Sequence, residues 1–339
     1  MLYTLLALLL LGTLITLHEA GHFWAARHSG IPVREFSMGM GPLLFARTSK
    51  KGTRFCLRLL PIGGYCAFYG EDEDSDDPRA FQQAGVGRRA WTVASGPLMN
   101  FVVAFAAILL YLSLVGIPVA SPEVAAVEEN AAQAGLRVRD VIVSVNGMPT
   151  KGSEEIAARI AASAGAEVTL GVRRDGEETQ VSIQPFYDAQ AERYRVGFTF
   201  GQIRHRVGLL TSIPASLRFN AQSATLIVRS LRELFQGRNV DDLTGPVGTV
   251  YVIQDVTRTG GIDVWMELLA LISVNLGIMN LLPIPGLDGS RLLFLLAEAI
   301  RRRPVNRRLE GTIHMMGFAV LMGLMLILTY KDIVRFLWK

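Results

Sequence analysis

The sequence predicts a polytopic α-helical membrane protein. Four transmembrane helices are expected, with a membrane-associated β region in the first loop and one inserted extracytoplasmic α+β domain. Three observations carry this. Half of the 339 residues are hydrophobic and 19% are charged, and the mean hydropathy is positive, outside the usage of a soluble domain. Four segments are apolar over a bilayer's thickness: residues 1–24, 91–120, 264–289 and 312–330. Lys and Arg gather in the loops 25–90 and 290–311, from Arg27 to Arg89 and from Arg291 to Arg308. The positive-inside rule assigns both loops to the cytoplasm, and both termini, with the tail 331–339, to the outside. Residues 121–263 are then extracytoplasmic. The net charge of +4 is mainly this loop bias, so no nucleic-acid partner is expected. The first span lacks a basic n-region and an A-x-A site, and it reads as a retained helix rather than a signal peptide.

That first span ends in His18-Glu19-Ala20-Gly21-His22. Residues i and i+4 share a helix face, so His18 and His22 can offer ring nitrogens to one cation. Glu19 lies beside them as a general base for a water held by that cation. This HExxH spacing points to a Zn2+ site, and ionisable residues inside a span default to a functional reading.

Residues 31–70 read as β structure. Phe55, Leu57 and Leu59 alternate with Arg54, Cys56 and Arg58, which predicts a half-exposed strand. Such a hairpin either offers an edge to an extended substrate or simply tethers two spans. Cys56 and Cys66 are expected as free thiols, since they form no CxxC pair and lie in a reducing compartment. The acidic run 71–77 reads as a solvated loop. Asn100, closing Ser95-Gly96-Pro97-Leu98-Met99-Asn100, is an amide at the membrane edge, and it needs another helix or a substrate carbonyl as partner.

Residues 121–200 read as a compact module. Val141–Val145 is expected as a strand and Asn146-Gly147 as a turn. Ser153–Ala164 is expected as a helix capped by Ser153. Val168–Arg173 and Glu178–Ile183 then form a hairpin about Asp175-Gly176. The string Asn130-Ala131-Ala132-Gln133-Ala134-Gly135-Leu136, followed by Asp140-Val141-Ile142 and Asn146-Gly147, resembles PDZ domains of the circularly permuted kind found in bacterial proteases. Arg139 stands where such domains usually have Gly. One copy is found. The resemblance implies binding of peptide C-termini by strand addition. In the region 201–263, Leu217, Ala221, Ala224, Val228, Leu231 and Phe235 form an apolar helical stripe, expected to pack on the protein or to rest on the membrane surface.

The third span breaks in Leu282-Pro283-Ile284-Pro285-Gly286-Leu287-Asp288-Gly289. Irregular backbone at membrane depth requires protein or a cavity around it. Given the predicted directions of the spans, His18, Asn100 and Asp288 fall in one layer towards the cytoplasmic side. Asp288 or His314 can complete the ligand set of His18 and His22, with water in the fourth place.

Taken together, HEAGH at 18–22, PIGGY at 61–65, SGPLMN at 95–100, the PDZ-like module, TGPVG at 244–248 and NLLPIPGLDG at 280–289 resemble the site-2 protease family of intramembrane zinc metalloproteases. The match is to the bacterial branch typified by the regulator-of-sigma-E protease, and it covers nearly the whole chain. The resemblance implies that His18, His22 and Asp288 bind zinc and that Glu19 is the general base. It also implies that Asn100 and Asn280 help hold the substrate and that the β region about Gly63 and Gly64 pairs with it. Expected partners are transmembrane protein or peptide substrates and the lipid bilayer. Expected substrates are anti-sigma-factor-like proteins already trimmed outside, or remnant signal peptides, in a bacterial cytoplasmic (inner) membrane. The competing class is a catalytically silent membrane scaffold that gathers partners through its PDZ module.

Overall fold

The computed structural model describes residues 2–71, 73, 75–188, 192–238 and 243–336. They form two compact units. The larger joins the N-terminal segment to Tyr111 with everything from Leu209 onward, and the smaller is Leu112–Gly208.

In chain order the larger unit begins with α1 (Leu2–His28), β1 (Val33–Thr48), β2 (Arg54–Phe68) and α2 (Val86–Leu110), which continues as a π turn over Tyr111–Val115. The smaller unit holds β3 (Ile117–Val127), α3 (Glu129–Gln133), β4 (Val141–Val145), β5 (Met148–Pro149), α4 (Ser153–Ala162), β6 (Val168–Arg174), β7 (Glu177–Ile183), β8 (Phe186–Asp188), β9 (Arg193–Arg195) and β10 (Phe198–His205). The larger unit resumes with α5 (Leu209–Phe235), α6 (Pro246–Thr259), α7 (Gly261–Leu281), α8 (Asp288–Arg301) and α9 (Arg307–Phe336).

Four helices are long and apolar enough to cross a membrane: Tyr3–His28, Val86–Val115, Gly261–Leu281 and Arg308–Arg335. Residues 117–120, expected at the end of the second span, are instead strand. Pro118 holds Ile117 in extended backbone and cannot itself continue a helix.

α2 is the hub of the larger unit. α1, α7, α8 and α5 all pack on it, and polar contacts tie them down. Ser273 Oγ donates to the Asn100 carbonyl at 2.8 Å, and Asn220 Nδ2 donates to the Phe101 carbonyl at 3.1 Å. Arg89 forks onto both carboxylate oxygens of Glu298. Asp332 near the end of α9 is buried and accepts the backbone N–H of Gly245 at 3.2 Å and of Gly248 at 2.7 Å. It thereby caps the first turn of α6. This accounts for the TGPVG run.

Two elements show which of their faces is buried. In the half-exposed strand β2, Cys56 is buried and Phe55 packs on Phe23 and Phe36, while Leu57 and Leu59 are exposed. With Leu43, Leu44, Phe45 and Leu60 also exposed, the hairpin carries an apolar outer surface of the kind that faces lipid. In α5 the buried residues are Ser212, Ser216 and Ser223, whereas Leu217, Val228 and Phe235 of the predicted stripe point outward. Large apolar residues and arginines together on the outer side of a helix fit the membrane-surface alternative for this stripe. Cys56 and Cys66 are free, as expected. Of the acidic run, Asp72 and Asp74 lie outside the described residues. Glu71 is no solvated loop residue: its carboxylate pairs with Arg291 and accepts the Phe68 N–H at 3.1 Å.

The smaller unit has its own core, in which Val124, Leu136, Ile142, Ile156, Leu170 and Val172 are fully buried. The sheet order is β10-β3-β4-β6-β7, with β5 on β4 and all pairs antiparallel. Asn146 and Asp175 both have φ of 51° and head tight hairpins, Val145 opposite Met148 and Arg174 opposite Glu177, as I′ turns require. Ser153 is not a cap. Its hydroxyl donates to the Ala120 carbonyl at 2.9 Å, so Gly152 occupies the cap position. Arg139 adopts φ of 73°. The turn usually made by Gly is therefore kept with an arginine, at about 1–2 kcal/mol for the left-handed backbone.

Asp140 anchors that turn. It takes Arg174 on both oxygens, at 2.8 and 2.7 Å, and the Arg137 N–H at 2.8 Å. Burial pushes its carboxyl up, but the Arg174 bonds and the Arg137 N–H outweigh this and hold it below the usual carboxylate range. A folded-state value below the unfolded one stabilises fully above the unfolded value of ~3.9. That contribution is lost as pH falls through the folded value. Amide protection in β4 and β6 of the full-length protein, relative to the intrinsic exchange rate at each pH, is thus expected to fall as pH drops below about 4. Asp140→Asn is expected to show lower protection already at neutral pH and little further acid dependence; equal protection in both proteins would remove Asp140 as the anchor.

Candidate active site

α1 carries His18 and His22 one turn apart on the face turned to α2, because small residues let the two helices touch. A Cβ on Gly21 would meet the Ser95 carbonyl oxygen at 2.3 Å, and one on Gly96 would meet His22 Nε2 at 2.1 Å. The His22 ring therefore lies directly over the bare backbone of Gly96. Its Nδ1 faces the Thr92 carbonyl at 2.9 Å. That oxygen can only accept, so Nδ1 carries the proton and Nε2 keeps its lone pair.

The break after α7 brings Asp288 to the same point as the first residue of α8. Asp288 Oδ2 lies 3.1 Å from His18 Nε2 and 3.3 Å from His22 Nε2, and the two Nε2 atoms are 3.2 Å apart. Among the described residues this is the one group of three or more His, Cys, Asp or Glu gathered closely enough to share a metal ion. Ligands at the ~2.0–2.1 Å of zinc–nitrogen and zinc–oxygen bonds stand about 3.3–3.4 Å apart at tetrahedral angles. The observed triangle matches one face of such a tetrahedron, and two imidazoles with a carboxylate are a zinc donor set. The residues fit the ion.

His314 is elsewhere. Its Nδ1 accepts the Gly286 N–H at 3.1 Å, and its Nε2 is 3.8 Å from Glu310. It braces the broken segment from α9 rather than joining the cluster.

A polar cavity of 350 Å³ reaches the cluster. Glu19, Asn280, Tyr65, Cys66 and the Glu71–Arg291 pair line it along with His18, His22 and Asp288. Glu19 and Cys66 face the same cavity from α1 and β2. Asn280 donates its Nδ2 to the Leu276 carbonyl at 3.0 Å while lining the cavity. Gly63 and Gly64 do not line it, although a Cβ on Gly64 would lie 3.4 Å from Glu19 Cγ. Asn100 is fully buried and does not reach the cavity. Its Nδ2 is 3.1 Å from His18 Nδ1, and its Oδ1 has no partner.

β2 borders the cavity with the residues after Gly64. Val33–Met38 of β1 pairs Gly64–Phe68 on one side and Arg54–Leu57 on the other. Among the described residues, no strand pairs the far edge of Gly64–Phe68.

Three participants were not singled out in the sequence. The Thr92 carbonyl has no side-chain signature at all. Gly96 was legible only as part of SGPLMN. Arg291 stands three residues after Asp288, which places it on the same face of α8, and that spacing was the available signal.

The chain matches the family model described as peptidase family M50 over residues 6–324. It is 28% identical over 412 aligned residues to the regulator of sigma-W protease RasP of Bacillus subtilis, covering 97% of each chain. It is 31% identical over 413 residues to the zinc metalloprotease RasP of Bacillus licheniformis, covering 97% of this chain and 98% of that one. A solved PDZ domain of an SdrC-like protein from Listeria monocytogenes overlaps 25% of this chain and 90% of its own, at 21% identity and a TM-score of 0.22. The chain belongs to peptidase family M50, the site-2 protease family, and is an integral-membrane zinc metalloprotease.

Proposed function

We propose that His18, His22 and Asp288 hold the zinc ion and that Glu19 is the general base. The reaction is hydrolysis of a peptide bond in or near a transmembrane segment of a membrane protein. One observation carries this: the zinc-sized triangle of ligand atoms shares a polar cavity with Glu19 at the end of a bundle of apolar helices. Zinc supplies Lewis acidity there, polarising the scissile carbonyl and acidifying the attacking water. Glu19 takes the proton of that water and passes it to the leaving nitrogen.

A helical substrate carbonyl is shielded by its own hydrogen bond, so the segment must unwind before attack. The unpaired edge of Gly64–Phe68 offers it a strand to add to. Cys66, which lines the cavity with Glu19, sets where along that strand the scissile bond lies, and Asn280 is placed to contact the extended segment. Asn100 takes a different role from the substrate contact expected of it. Zinc binding through His18 Nε2 needs the proton on Nδ1, and the Asn100 amide, turned over so that the unpartnered Oδ1 replaces Nδ2 there, accepts that N–H and fixes this tautomer. The residue positions His18.

The smaller unit serves as a PDZ module that gates access outside the membrane, with both termini outside and the zinc towards the cytoplasmic side. Anti-sigma-factor-like proteins trimmed by an outer protease, and remnant signal peptides, are the substrate classes that suit such a gate. The kinship with a sigma-W regulator protease favours the first.

Metal analysis of the purified full-length protein tests the ligand set. Asp288→Asn is expected to lose zinc and His314→Ala to keep it; the reverse would transfer the ligand role to His314. Gly96→Ala and Asn100→Leu should both lower zinc retention against a chelator, with Asn100→Asp, which still accepts from Nδ1–H, restoring it. A failure of Asn100→Asp to rescue would reduce Asn100 to helix packing.

Glu19→Gln should cut the cleavage rate of a transmembrane model substrate by roughly 10²–10⁴-fold with zinc content unchanged. A scaffold that only gathers partners would show no such loss.

Ile117 pairs with His205, so a short Gly-Ser linker can replace residues 117–205. That protein is expected to cleave untrimmed substrate, and unchanged selectivity would count against gating.

A further inference from the structure

We propose that the groove between α1 and α2, on the side away from the catalytic cavity, binds one anionic phospholipid. The inference rests on the membrane character of the chain and not on the assignment of the zinc ligands. The groove has a volume of 580 Å³, within the range of small-ligand sites. Its two walls run antiparallel, since His22 meets Thr92 and His18 meets Asn100.

The groove is polar at one end only. Arg27 and His28 are the last residues of α1, and Lys51 reaches the same groove from the turn between β1 and β2. Next come Trp24 and Trp91, which are 73% and 51% exposed. Tryptophan at this level is characteristic of the headgroup boundary. Beyond them the floor is apolar, with Leu98, Met99 and Val102. Val102 is eleven residues past Trp91, about 16 Å along the helix. A cationic rim, an aromatic belt and an apolar trough match the headgroup, glycerol and acyl region of a lipid in that order.

Charge makes the lipid anionic. No acidic residue lines the groove. The contrast is the polar cavity beside α8, where Arg89 is matched by Glu298 and Arg291 by Glu71. Basic side chains grouped beside transmembrane helices on one side of a membrane recognise anionic headgroups in this way. An acidic peptide fits less well. Its backbone would need partners along the trough, and the one hydroxyl there, Ser95 Oγ, already donates to the Thr92 carbonyl at 2.7 Å.

The test uses full-length protein in detergent and native mass spectrometry, titrating phosphatidylglycerol and, in parallel, phosphatidylcholine. Wild type is expected to retain one phosphatidylglycerol in preference to phosphatidylcholine. Arg27→Glu with Lys51→Glu should weaken that retention at least about tenfold, from roughly fivefold per basic residue at a membrane surface. Arg27→Gln with Lys51→Gln replaces it if the reversal fails to fold, and unchanged zinc content marks either as intact. Equal binding of the two lipids, or full retention by a folded double variant, would overturn the proposal. So would displacement of phosphatidylglycerol by a soluble acidic peptide, which would make the groove a peptide site.

Discussion

The close approach of α1 to α2 is the contact on which the catalytic centre depends. With any side chain at Gly96 the His22 ring could not lie where it does, and with any at Gly21 the two helices would part. The same approach brings the Thr92 carbonyl and the Asn100 amide to the two Nδ1 atoms. One packing decision thus sets the position of both imidazoles and the protonation of His22. A hydrogen-bond partner behind an imidazole orients the ring; here the neighbouring helix supplies one from its backbone and one from a buried amide.

Asp288 completes the triangle because the chain stops being helical at the right depth. Pro283 and Pro285 have no N–H to continue the ladder of α7, and α8 restarts with the carboxylate in its first turn, where the helix dipole favours negative charge. Such a break is tolerated only if its freed groups find partners. The Gly286 N–H finds His314, the Ile284 N–H finds the Leu282 carbonyl and the Leu287 N–H finds that of Ile284. His314 therefore contributes to the site by holding its loop.

Solvent reverses the usual meaning of an apolar face in the larger unit. The outward Leu57 and Leu59 of β2 and Leu217, Val228 and Phe235 of α5 would be unfavourable in water, while Ser212, Ser216 and Ser223 at the helix contacts bury little apolar area. Beside lipid the balance inverts, since lipid rewards apolar exposure, within the core for a span and at the boundary for an amphipathic helix with arginines such as α5. The smaller unit keeps the aqueous rule, with a Val, Ile and Leu core and charged turns.

By itself the sequence determined the four apolar helices, the His18–Glu19–His22 spacing and the tight turns at Asn146 and Asp175. Each follows from local chemistry: run length, the 3.6-residue repeat, or the backbone that one residue type permits. Tertiary structure alone decided which faces of β2 and α5 are buried, because amphipathic patterns do not say which solvent they face. It alone separated Asp288 from His314, two groups at one depth on different helices. It alone moved Asn100 from the cavity wall to the back of His18. An amide's partner is settled by where a neighbouring helix comes to rest, and that depends on contacts between residues 82 positions apart. HExxH predicted a histidine pair, and the bare backbone at Gly96 is what lets the His22 ring lie where it meets Asp288.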